Sequence, residues 1–258
     1  MISGSVSASP PPGFTISGYR VLIQNLVEHG YQIASFKDLA PTGHQLVLRH
    51  DLDMSIDAAI AVAETEHDIG VSATYFVLLR TEMYNAFSQR GMSALLRIAA
   101  LGHKIGLHLD ASLYGDSAEA LDAAAQSECS ALEAMINQSV GVVSFHRPAP
   151  SLQGLDRKIA GRRHTYEPAF FNDIGYCSDS RGGWHRGHPL DHASVAGGKS
   201  LQLLTHPIWW VAAPGETVRQ KLDRFALGRF DLLRAELAAN CGAYPQEFRA
   251  TGPETLDR

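Results

Sequence analysis

The feature that most limits what this chain can become is a repeated junction, in which a short run of apolar β-formers stops abruptly at ionisable residues. It is clearest where Leu46-Val47-Leu48 runs into Arg49-His50-Asp51-Leu52-Asp53. Such a run marks a strand buried on both faces, as in a parallel sheet, and the polar residues mark its carboxyl end. A helical stretch follows from near Ser55 to Ile69 and stops at Gly70, and residues 71–79 are again rich in β-formers, giving one βαβ unit. The rhythm continues with a helix over 93–101, a strand over 104–109, a long helix opened by Asp116 with Glu119 in capping-box spacing, and a strand over 142–146. Further strands are predicted over 174–177 and 201–205, and helices over 19–29 and 216–241. Alternating strands and helices imply a mainly parallel sheet of about six or seven strands, either a barrel or an open doubly wound sheet.

Composition narrows the function. With 258 residues, 45% of them hydrophobic, the chain can bury a sizeable core, and its net charge of −5 without a basic block argues against a nucleic-acid partner. No apolar run approaches the ~20 residues a bilayer span needs. The first dozen residues lack a positive n-region and an apolar h-region, so a cytoplasmic location is expected. Residues 1–18, with three consecutive prolines, are expected to be an extended arm, and residues 19–258 one domain. Cys129, Cys177 and Cys241 form no Cys-x-x-Cys pair and read as buried fillers in a reducing compartment. The 12 histidines draw more attention, because imidazole is the commonest side chain for metal ligation and for proton transfer near neutral pH.

In α/β folds chemistry gathers at the carboxyl ends of the strands. The predicted strands deliver His50, Asp51 and Asp53, then His108 and Asp110, His146 and Arg147, Asp179, and finally His206. Side chains alternate across a strand, so Asp51 and Asp53 share one side while His50 faces the other. Two carboxylates on one side suit a metal ligand and a general base; the plainer reading is a pair of helix-capping aspartates before Ser55. His108 alone reads as a core histidine. With Asp53 and one more imidazole it makes a three-ligand zinc site with a position left for water. His103, in a helix-to-strand turn, reads as structural. Two long aperiodic connections, 151–172 and 181–199, suit lids, binding walls or linkers. Arg162, Arg163 and His164 in the first read either as a grip for a diphosphate or uronate or as solvated charge. Trp184, Trp209 and Trp210 read either as sugar-stacking faces or as packing.

Taken in order, five segments resemble the motifs of the NodB-homology polysaccharide deacetylases, over roughly residues 46–210. They are Arg49-His50-Asp51-Leu52-Asp53, then Gly102-His103-Lys104-Ile105-Gly106-Leu107-His108-Leu109-Asp110, Ser144-Phe145-His146-Arg147-Pro148, Ser178-Asp179-Ser180-Arg181-Gly182-Gly183-Trp184, and Leu203-Leu204-Thr205-His206-Pro207. The His-Arg-Pro and His-Pro-x-Trp-Trp spellings are similar to the branch found in O-antigen and other surface-polysaccharide loci, the WbmS type. The resemblance implies a distorted (β/α) barrel of about seven mainly parallel strands in a single domain. It also implies a metal-dependent N-deacetylase using zinc or another divalent cation. Asp51 would be the base, Asp53 and His108 metal ligands, Arg147 the partner orienting the base, Asp179 a tuning carboxylate, His206 the general acid and Trp184 a groove wall. His50 and Asp110 join Trp184 as candidate substrate contacts. One departure matters: the family's second histidine, four residues after the first, is here Ser112. His146 is the candidate third ligand, with Asp110 or water as competitors, although alternation sends His146 and its neighbour Arg147 to opposite sides.

The expected substrate is an amino sugar of a surface-polysaccharide precursor, nucleotide-linked or lipid-linked. Two other readings stay open. One is a carbohydrate-binding relative that has lost the metal with the missing histidine; the other is a barrel hydrolase of another type, although such sites usually open with His-x-His.

Overall fold

The junctions do mark strands of a parallel sheet. The computed structural model describes residues 13–115 and 117–249. In chain order the elements are α1 (Ile16–Glu28), β1 (Gln32–Ile33), β2 (Gln45–Leu52), α2 (Asp57–Asp68), β3 (Thr74–Leu78), α3 (Gln89–Ala100), β4 (Lys104–Leu109), α4 (Ala118–Ile136), β5 (Val142–Phe145), β6 (Arg163–His164), α5 (Pro168–Phe171), β7 (Gly175–Ser178), α6 (Ala193–Ala196), β8 (Leu201–Thr205) and α7 (Val218–Asn240). Seven parallel strands pair in the order β6-β5-β4-β3-β2-β8-β7, and β1 adds to β2 off this path. The sheet curls into a half-barrel, a distorted (β/α) barrel that stays open between its edge strands β6 and β7. One unit, Met1–Pro214, carries all of it; Gly215–Arg258 forms a second compact unit, in which Thr217 and Gln220 make a capping box at the start of α7.

Several local expectations change. Residues 16–18 are the first turn of α1, capped by the Thr15 hydroxyl, and not part of an extended arm. The cap of α4 is Ser117, whose hydroxyl accepts from Ala120 N at 3.0 Å, while the expected cap Asp116 lies outside the described residues, as does the arm up to residue 12. Ser55 accepts from Ala58 N in the turn before α2, so Asp51 and Asp53 are not needed as caps. The 151–172 connection contains the strand β6, which its sequence did not announce. Cys241 is exposed, unlike Cys129 and Cys177.

Alternation sorts the sheet into two faces and stacks the concave one in layers. At the bottom Val47 of β2, Phe76 of β3 and Val142 of β5 meet Phe36 and Phe170 in an apolar plug. Gly106 belongs to this layer, because a Cβ there would lie 2.6 Å from the Phe76 ring. One step up, Arg49, Ser144 and Gln202 form a buried polar layer, and above it stand Asp51, Asp53, His108 and His146. The opposite face of β2 and β3 packs on α1 and α2 around Glu66, which is fully buried and accepts from Tyr19 Oη and Tyr75 Oη, both at 2.6 Å. Burial would raise the Glu66 pKa, but His50 beside it holds it below the ordinary carboxylate value.

Candidate active site

Three side chains from the ends of β2, β4 and β5 converge on one point at the top of the concave face. Asp53 Oδ1 lies 3.0 Å from His108 Nε2 and 3.4 Å from His146 Nδ1, and the two imidazole nitrogens are 3.3 Å apart. His146 is the next inward position after Val142 and Ser144, so alternation brings it to the site and supplies the nitrogen that Ser112 does not. The donor set fits a metal. Two imidazoles and a carboxylate suit zinc, and bonds of about 2.0–2.1 Å in a tetrahedron put neighbouring ligand atoms ~3.3 Å apart. Asp53 Oδ1 is buried without a well-aligned hydrogen bond, as an atom reserved for a cation would be. His108 Nδ1 meets Ser144 Oγ at 3.1 Å, which leaves Nε2 to present a lone pair to the centre. Burial would raise the Asp53 pKa, but contacts with His108 and His146 hold it well below the usual range.

Asp51 stands beside this trio, its Oδ2 3.7 Å from His108 Nε2. Its partner is Arg49, not Arg147. Arg49 is fully buried and forks onto both carboxylate oxygens, at 2.9 and 2.7 Å, and its Nη2 also reaches Ser144 Oγ at 2.5 Å. The Tyr166 ring covers the guanidinium, 4.8 Å from its carbon. Burial pushes the Asp51 pKa up, but Arg49 outweighs it and keeps the carboxylate ionised. The expectation for Arg147 fails because Arg147 follows the inward-facing His146 and turns away: its φ is +48°, its side chain is 78% exposed, and its nearest carboxylate is Asp110, at 3.6 Å. Arg49 was within reach of sequence reasoning, since the spacing that puts Asp53 on the side of Asp51 puts Arg49 there too.

His206 also stands beside the trio, its Nε2 3.7 Å from Asp53 Oδ2. Asp179 is its partner, with Oδ1 2.6 Å from His206 Nδ1. Asp179 also accepts from His206 N, and Trp210 Nε1 donates to its Oδ2 at 2.8 Å. Burial would lower the His206 pKa, but the buried Asp179 carboxylate overrides it and pushes the pKa up to about 9. Trp210 is thus a positioning residue packed against Tyr19, and not a sugar platform.

The remaining expected contacts scatter. His50 points to the far side of β2, where Nδ1 meets Thr205 Oγ1 at 2.7 Å and Nε2 meets Glu66 at 2.8 Å, so it cannot touch a substrate at the rim. Asp110 binds Ser112 through N and Oγ, at 3.1 and 2.6 Å, and stays outside the trio. Trp184 is half-buried and packs with Phe14, Trp210 and His188. Arg162 and Arg163 are paired with Glu133 and Glu167, and His164 is buried. His103 bonds Ala63 O and Ala73 N between helix and sheet.

No family model and no curated protein matches the chain. Among solved structures it is similar to the Streptococcus pyogenes deacetylase PplD in complex with acetate, with 13% identity over 86% of this chain and 92% of that one and a TM-score of 0.42. A family 4 carbohydrate esterase from Bacillus anthracis shares 14% identity over 88% of each chain, with a TM-score of 0.42. A family 4 pseudoenzyme from Bacillus anthracis shares 12% identity, and this chain spans 73% of its own length and 63% of that one, with a TM-score of 0.41.

Proposed function

We propose that the chain is a metal-dependent deacetylase that hydrolyses the acetamide of an amino sugar, releasing acetate and the free amine. The observation that carries this reading is that Asp51 and His206 both stand beside the Asp53–His108–His146 trio, each held by its own buried counter-charge. Zinc or another divalent cation held by the trio supplies Lewis-acid polarisation of the carbonyl and of the attacking water. Asp51, kept ionised by Arg49, takes the proton of that water as it adds to the carbonyl carbon. His206 Nε2 gives a proton to the nitrogen as the C–N bond breaks, so that the amine leaves and the water oxygen stays in acetate. Asp179 fixes the tautomer by occupying Nδ1, and Trp210 holds Asp179 in line. Trp184 at the rim forms a wall for the sugar.

The substrate we favour is a precursor of a surface polysaccharide such as O-antigen, as the resemblance to the WbmS-type branch implies, and we take it to be nucleotide-linked or lipid-linked. No helix among the described residues is long and apolar enough to cross a membrane. The test is the zinc content per chain by elemental mass spectrometry in parent and Asp53→Ala protein, beside acetate release from N-acetylglucosamine derivatives. About one metal per parent chain, lost in Asp53→Ala, is expected from a three-ligand site. A parent that takes up no metal after incubation with zinc overturns the mechanism.

A further inference from the structure

We propose that Arg147 and the cavity beside it form an anion-accepting subsite, which takes a phosphate or carboxylate group carried by the substrate next to its acetamido sugar. The proposal rests on the deacetylase reading and deepens it. With Arg49 holding Asp51, the guanidinium of Arg147 is released from the base, and the backbone fixes where it goes. Proline favours extended backbone in the residue before it, yet Arg147 precedes Pro148 with a left-handed φ of +48°. Non-glycine residues hold such conformations where the surroundings impose them, often at ligand sites. The turn sets the side chain on the wall of a cavity of about 610 Å³, a size that holds a sugar and its substituent.

The cavity is built from the segments that follow β4 and β5, the strands that deliver His108 and His146, and Arg147 on its wall is the residue next to His146. Ser112, Tyr114, Ser117 and Ser151 stand on its wall, the hydroxyls of Ser112 and Tyr114 donating to Asp110 and Glu128, and Arg147 and Arg157 are its charged residues; no carboxylate is among the described residues on its wall. Arg157 is engaged with Asp122 at 2.8 Å. Arg147 is not engaged in this way. Its one charged neighbour among the described residues is Asp110, whose Oδ2 lies 3.6 Å away, in ion-pair range but too long for a hydrogen bond. A guanidinium with its fork of donors open to a hydroxyl-lined cavity recognises a two-oxygen anion. Arg162 and Arg163 cannot do this, because Glu133 and Glu167 already occupy them.

The test uses zinc-loaded protein and three acetamido sugars: neutral N-acetylglucosamine disaccharide, N-acetylglucosamine 1-phosphate, and N-acetylglucosamine linked to glucuronate. In the parent, one of the two anionic arms has the highest kcat/KM and so identifies the source of the charge. Arg147→Ala lowers the ratio of that value to the neutral one by about ten-fold or more, through KM, as loss of a charge-assisted hydrogen bond requires, and Arg147→Lys restores part of it. Equal kcat/KM on all three sugars, or a ratio unmoved by Arg147→Ala while acetate is still released, overturns the subsite and leaves the deacetylase standing. Should no sugar release acetate, calorimetric binding of N-acetylglucosamine 1-phosphate and of the glucuronate conjugate decides separately. Binding weakened in Arg147→Ala supports the subsite, and binding of equal strength, or none of either ligand to the parent, overturns it.

Discussion

Replacing Arg49 with Met tests the link between the floor of the site and its chemistry. The change removes two charge-assisted bonds to Asp51, at 2.9 and 2.7 Å, and contacts to Ser144 and Gln202, from a position with no solvent exposure. Breaking one partner of a buried ion pair costs about 3–5 kcal/mol, because the other charge is left without compensation. That loss is read by urea unfolding at pH 7 with linear extrapolation. With the guanidinium gone, burial acts on Asp51 unopposed and its pKa rises, so the acid limb of the activity profile moves to higher pH. The double variant Arg49→Met/Asp51→Asn removes both charges and is expected to lose clearly less than the two single losses added together. A single variant within about 1 kcal/mol of the parent, or singles that simply add, refutes the claim that this pair is a coupled buried unit.

Three further outcomes follow from other contacts. Ser144→Ala removes the partner of His108 Nδ1 and is expected to weaken zinc affinity about 10–100-fold, measured by competition with a chromophoric chelator; unchanged affinity would place Ser144 outside the metal's support. Glu66 has a depressed folded pKa, so its stabilising contribution is present above the ordinary glutamate pKa of about 4.3 and is lost as pH falls through the lower folded value. Urea midpoints followed downward from pH 6 should drop less steeply in Glu66→Gln than in the parent. Gly106→Ala puts a methyl 2.6 Å from the Phe76 ring and should cost about 1–3 kcal/mol, partly recovered by adding Phe76→Leu; a neutral Gly106→Ala would show that the plug yields easily.

Sequence reasoning reached the fold because each central strand announces itself locally: Leu46-Val47-Leu48 and the run through Phe76 are apolar on both faces, as a covered parallel sheet demands. It reached Asp53, His108, Asp179 and His206 as strand-end groups for the same reason. His146 and Arg147 had competed for the site, and alternation, which set them apart, chose His146 in the folded chain. Arg49 was passed over, although it opens the first of the five motifs and its spacing from Asp51 was visible, because the resemblance gave the role of orienting the base to Arg147. The strand β6 was missed because two residues carry no periodicity. Its pairing with β5, Val142 with Arg163 and Val143 with His164, is a contact between distant parts of the chain that no local pattern records. His50 was misplaced among the substrate contacts although alternation already put it on the side opposite Asp51, and its partner Glu66 lies on the helix that follows.

The open edges of the half-barrel bear on how this protein avoids its neighbours. An unpaired strand edge is a template on which another chain can add by hydrogen bonding, and open sheets are exposed to aggregation for that reason. Here one edge, β6, is two residues long, and Arg163 within it is tied to Glu167 at 2.7 Å. The other edge, β7, is four residues long and passes at once into the Asp179 turn. Both offer too few backbone groups in a row for a second molecule to build on, so the sheet can remain unclosed at little risk of edge-to-edge association.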